Sequence, residues 1–188
     1  MKKLVFTLGL ALVGTMAFAQ VDDQDDAHQI SFSVPATSIL DIEGPGGNNG
    51  ISFSPEAITE AGNAFNFNLS NSTLWLNYSN IKPSAEATRK VTVGMTNDLP
   101  TGMSLTVTAG SDAGNGNGVK GTPNASAIAL TNGSSSTIIT GIGSAYTGNG
   151  INNGHQLTYN LAFDDAEFQT LSADLAQSVT ITYTIADE

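Results

Sequence analysis

Val179-Thr180-Ile181-Thr182-Tyr183-Thr184-Ile185-Ala186-Asp187-Glu188 is the stretch from which the fold is read. Val179, Ile181, Tyr183 and Ile185 fall on one side of an extended chain, and Thr180, Thr182 and Thr184 fall on the other. Period-2 alternation of β-branched and aromatic residues predicts a strand with one buried and one wet face. Working outward, the same period recurs at Leu157, Tyr159, Leu161 and Phe163, and at Met103, Leu105, Val107 and Ala109. It also recurs at Val91, Val93 and Met95, at Leu74, Leu76 and Tyr78, at Phe65, Phe67 and Leu69, and at Ile30, Phe32 and Val34. A short strand is expected over residues 38–42 as well.

No segment is long enough to form a helix that crosses between parallel strands. Residues 55–62, with Pro55 at the start and Gly62 at the stop, suit one helical turn at most. Residues 164–177 bridge to the last strand, with Phe168, Leu171 and Leu175 as plugs. Short strands at 8–12-residue spacing predict an all-β, antiparallel Greek-key β-sandwich, immunoglobulin-like or jelly-roll-like, of about nine to eleven strands. Leu99-Pro100-Thr101-Gly102 reads as a tight turn, which makes residues 91–95 and 103–109 the clearest hairpin. Eleven of the 20 glycines lie between Gly110 and Gly154, a loop-rich region anchored by Ile128, Leu130, Ile138, Ile139, Ile142 and Tyr146.

Met1-Lys2-Lys3, the apolar run that follows, and Ala17-Phe18-Ala19 match a bacterial secretory signal with a small-x-small cleavage site. The expected organisation is a signal peptide over residues 1–19, an acidic flexible tether over 20–28 and a single β-sandwich domain over 29–188. Export to the periplasm, the cell surface or the medium follows, with no membrane insertion after cleavage. The formal net charge of −11 becomes −13 once Lys2 and Lys3 are gone. Such a chain is repelled by nucleic acid and by anionic lipid, which excludes both as partners. With no cysteine, thiolate metal sites, thiol nucleophiles and disulfides are excluded, and the hydrophobic core must hold the fold.

Gly116-Asn117-Gly118-Val119-Lys120-Gly121 matches GxGxxG. That motif binds a pyrophosphate only between a strand and a helix, and here Thr122-Pro123-Asn124 follows, so the segment reads as a flexible loop. Asp112, Asn115 and Asn117 are the candidate metal ligands, a fragment of a calcium loop without its bidentate Glu; Ca2+ is the one cofactor considered, and otherwise none is expected. His28 and His155 lack zinc spacing, and no G-x-S-x-G elbow occurs. Asp164, Asp165 and Glu167 read as a solvated turn rather than a glycosidase pair. No catalytic residue is assigned, and the chain is read as a non-enzyme. Trp75, opposite Leu74 and Leu76, and Tyr78 are the candidate rings for stacking a glycan. Ile30, Phe32 and Val34, behind the tether, are the candidate donor strand for pairing with another copy or another envelope protein.

The signal-like start, the Thr/Ser/Gly/Asn-rich β domain, Leu105-Thr106-Val107-Thr108-Ala109 and the strand over residues 179–185 resemble secreted bacterial surface β-sandwiches. The nearest groups are fimbrial-subunit and spore-coat-U-like proteins. Leu74-Trp75-Leu76-Asn77-Tyr78-Ser79 and Gly154-His155-Gln156-Leu157-Thr158-Tyr159 are also similar to strands of uncharacterised exported β proteins. The chain departs from fimbrial subunits in having no disulfide and no terminal aromatic residue. The resemblance implies a structural or adhesive subunit of the cell envelope or of a fimbria-like assembly. A carbohydrate-binding module is the alternative.

Overall fold

The computed structural model describes residues 27–188 apart from 174. The signal segment and the four Asp of the tether lie outside the described residues. Contacts divide the chain into Met1–Ser33 and Val34–Glu188, five residues beyond the expected domain start. In the first unit the described residues are exposed and form no regular structure.

The second unit is built from nine strands, all paired antiparallel: β1 (Thr37–Glu43), β2 (Leu69–Ile81), β3 (Arg89–Thr96), β4 (Met103–Asp112), β5 (Asn117–Pro123), β6 (Ile128–Ala129), β7 (Ser135–Tyr146), β8 (His155–Phe163) and β9 (Thr180–Asp187). The sheet runs β6-β4-β8-β2-β7-β3-β9, with β1 on the other edge of β2 and β5 on the other edge of β7. It turns a corner inside β2, which pairs with β8 through Leu76 and then passes to β7 at Ser79 and Asn80.

The fold-over shows in one hydrogen bond. Tyr159 on β8 and Tyr183 on β9 stand four strand positions apart, about 19 Å in a flat sheet at ~4.8 Å per strand. Their hydroxyls meet at 2.6 Å. The sheet is therefore two layers, β6-β4-β8-β2-β1 and β5-β7-β3-β9, closed on one core. Leu76, Val91, Val107, Ile139, Ile142 and Leu157 are fully buried in it, so every inward row predicted for β2, β3, β4 and β8 meets the others there. From β2 to β9 each strand lies in the layer opposite its predecessor. That alternation is jelly-roll-like rather than immunoglobulin-like.

Several expectations are corrected. Residues 91–95 and 103–109 are not a hairpin. The turn exists (Met103 N donates to Pro100 O, 3.0 Å), but Asn97 takes a left-handed conformation, φ 70°, and β3 and β4 enter different layers. Ile30, Phe32 and Val34 enter no strand; the last strand pairs with β3 along its whole length, from Thr96 with Thr180 to Arg89 with Asp187. Phe65 and Phe67 precede β2 and, instead of joining a ladder, pack with tilted rings, Phe65 against Phe67 and Phe67 against Phe163. Residues 55–62 form no helical turn, and the only helical pieces among the described residues are 3-10 turns at Pro45–Gly47 and Asp165–Thr170. Phe168 and Leu175 remain exposed and plug nothing.

The GxGxxG segment is no loop either. It forms β5, lying so close to β7 that a Cβ on Gly118 or Gly121 would stand 2.3 Å from Ser144 O or 2.5 Å from Thr140 O. Both glycines also hold positive φ, 93° and 76°. They serve packing between backbones.

Candidate functional site

At one end of the sandwich, the close of β4, the start of β8, β2 and β5 bring four titratable side chains together. A register shift after Ala109 sets Asp112 opposite His155. Both layers contribute, because Tyr78 comes from β2 and Lys120 from β5. The His155 ring is fully buried and stacks on Tyr78, with centroids 5.8 Å apart and planes at 15°. His155 Nδ1 donates to Gly110 O at 2.9 Å, and Nε2 lies 2.9 Å from the Tyr78 hydroxyl. The same hydroxyl lies against Lys120 O, so its single proton is shared between two acceptors, that carbonyl and the unprotonated Nε2. Burial lowers the imidazole below its ordinary value, with Gly110 O and Asp112 opposing the shift and Lys120 reinforcing it. Burial raises the Tyr78 phenol far above the ordinary range, and the Asp112 charge adds to the rise. Neither a phenolate nor a strong base forms near neutral pH.

Two of the three candidate metal ligands converge here, on a cation the chain supplies itself. Lys120 Nζ pairs with Asp112 Oδ1 and donates to Asn115 O at 2.8 Å. Asn115 contributes only its backbone carbonyl, its side-chain Nδ2 donating to Asn152 O at 3.3 Å. Asn117 turns away into β5, and its Oδ1 accepts from Gly118 N at 2.7 Å. Among the described residues no three His, Cys, Asp or Glu side chains gather as a metal site. Sequence reasoning left His155 without a role, although it is in phase with Leu157 and Tyr159 and the period alone directs it inward.

The two candidate glycan rings separate. Tyr78 is buried in the core and spends its hydroxyl there. Trp75 is half-buried on the outer face of β2, between Glu43 on β1 and Gln156 on β8. Farther along that outer face is a feature the sequence reading did not single out. Ser79 pairs with Ile39 on one side and with Tyr146 on the other, so all three side chains share a face. Ile39 is 62% exposed and Tyr146 54% exposed, with the small Ser79 between them. They wall a slot of about 270 Å³, which Asp41, Asn77 and Asn149 also line. Its signal in the sequence is faint: Ile39 is the outward residue of a short strand, and Tyr146 is one of the large amphipathic aromatics, among which the pattern favours Trp75 for stacking.

Ile30, Phe32 and Val34 are 78%, 92% and 66% exposed. The far edge of β9 carries no strand among the described residues. No helix among the described residues is long and apolar enough to cross a membrane. The fold defines the chain as an all-β, antiparallel two-layer protein. No family model, no curated protein and no solved structure matches it.

Proposed function

We propose that the chain is an exported bacterial envelope protein, a structural or adhesive subunit that pairs with further copies through the segment ahead of β1. The observation that carries this reading is the exposure of Ile30, Phe32 and Val34. Three alternating apolar side chains left in water outside any strand form the inward row of a strand that lacks a sheet. The far edge of β9, which carries no strand among the described residues, is an acceptor of the matching kind, since an added strand would gain a ladder of backbone hydrogen bonds. Residues 1–19 supply the export signal in this reading, and the acidic residues after them act as a soluble lead. The role is non-catalytic, and the resemblance to fimbrial-subunit and spore-coat-U-like proteins agrees with it.

The test is the mass in solution of the chain beginning at Gln20, measured by light scattering over a concentration series, with and without residues 20–34. Concentration-dependent oligomers that vanish with the deletion support strand exchange. A monodisperse monomer for both chains, each melting cooperatively, sinks it.

A further inference from the structure

We infer that the slot between Ile39 and Tyr146 is a binding site for a single neutral pyranose ring. The inference deepens the adhesive reading and rests on it, because only a surface-exposed protein would meet glycans. The register fixes the geometry. Ile39, Ser79 and Tyr146 are cross-strand neighbours on three adjacent strands, which places the two walls about 10 Å apart at their backbones. A serine between two large exposed side chains leaves a trough rather than a flat face. The volume of about 270 Å³ is at the small end of ligand sites, which suits a single sugar ring lying in the trough. The Tyr146 ring supplies the apolar plane on which the C–H face of a sugar stacks, and Ile39 closes the opposite side.

The polar groups around the trough select the ligand class. Asp41 Oδ1 accepts from Ile42 N at 2.8 Å, which fixes the carboxylate and leaves its second oxygen for a ligand hydroxyl. Asn77 is 3% exposed, and its Nδ2 holds Gly150 O at 3.1 Å, so its amide is committed within the protein. Ser79 and Asn149 add uncharged donors and acceptors. No Lys or Arg lines the slot, and Asp41 is the one charged lining residue. With a formal net charge of −13 on the chain that begins at Gln20, the site repels carboxylated and sulfated sugars and admits uncharged ones. Fixed hydroxyl-pairing groups beside an apolar plane suit a hexose better than a peptide side chain.

The experiment is a titration of the uniformly 15N-labelled chain, beginning at Gln20, with the methyl glycosides of glucose, galactose and mannose and with that of sialic acid. A single-ring site of this size binds in the millimolar range. The expected result is saturable shifts of the Ser79, Tyr146 and Asn149 amides with at least one neutral glycoside and none with sialic acid. Tyr146→Ala should weaken binding at least tenfold, while Trp75→Ala, on the same face of β2 but outside the slot, leaves it unchanged. A thermal melt of each variant confirms that it is folded. No saturable shift with any neutral glycoside, equal binding by Tyr146→Ala, or tighter binding of the sialoside overturns the site. Light scattering on the same chain beginning at Gln20 separates the two proposals: glycan binding by that chain with no assembly at any concentration refutes the subunit reading alone, and assembly without glycan binding refutes the slot alone.

Discussion

Replacing Tyr159 and Tyr183 by Phe, singly and together, tests the closure of the two layers at one point. Their hydroxyls are 2.6 Å apart, and burial raises both phenols above the ordinary value. A neutral hydrogen bond of this kind contributes about 1 kcal/mol net, but removing one partner strands the other hydroxyl inside the sandwich at about 1–3 kcal/mol. Each single variant should therefore lose about 1–3 kcal/mol. The double variant has no orphan left and should cost clearly less than the sum, a coupling of about 1–2 kcal/mol. Urea unfolding followed by fluorescence measures it, and a domain of this size moves roughly 2–4 °C in Tm per kcal/mol. Additive losses would refute the argument, because they would mean that β8 and β9 do not face each other across one core.

Two further outcomes follow from the buried cluster. His155 sits below the ordinary imidazole value because burial disfavours its charged form, with Asp112, Lys120 and Tyr78 as the titratable groups around it. A folded value below the unfolded one near 6.5 means the neutral ring's contribution is present above about pH 6.5 and is lost as the pH falls. Stability should decline on acidification by at most about 1.4 kcal/mol per pH unit from this group. Denaturant melts between about pH 6.5 and pH 5 should show that slope flattened in His155→Gln, and an unchanged slope would count against it. Calcium should leave the melting temperature of the wild-type chain unchanged, because the Lys120 ammonium already holds Asp112 and Asn115 O. A genuine site at about a hundred times its Kd would add about 2.7 kcal/mol, which calorimetry would see at once. Lys120→Ala, which leaves the Asp112 carboxylate mostly buried and unpaired, should lose about 3 kcal/mol.

Local pattern carried the strands, and partner choice was the part it did not carry. Leu74, Leu76 and Tyr78 were readable as an inward row because side chains alternate whatever lies beside the strand. That Tyr78 would reach Lys120 O on the other layer was not readable, since nothing in residues 73–78 refers to residue 120. The failed hairpin between β3 and β4 has the same origin. A turn signal at Pro100 and Gly102 fixes a reversal of direction, and it is silent on whether the returning strand joins the same layer. Residues 116–121 misled differently. Glycine and asparagine are depleted in strands, and here packing between backbones outweighed propensity. The slot escaped notice because Ile39, Ser79 and Tyr146 lie on three strands and meet only through register.

The layer-by-layer alternation of β2 to β9 also sets how this chain must acquire its structure. β1 and β2 are neighbours in both sequence and sheet, though Glu43 still waits for Trp75. From β2 onward no strand pairs with the strand that follows it, so Leu74 waits for Leu157, and Lys120 for Ile142. Loop-closure entropy is spent before any ladder returns it, so there is no small local nucleus and refolding belongs in the slow regime of milliseconds to seconds. Through that interval the apolar rows stand open to neighbouring chains. The acidic balance of a chain poor in basic residues then acts during folding as well as after it, keeping half-formed copies apart by charge while distant strands find one another.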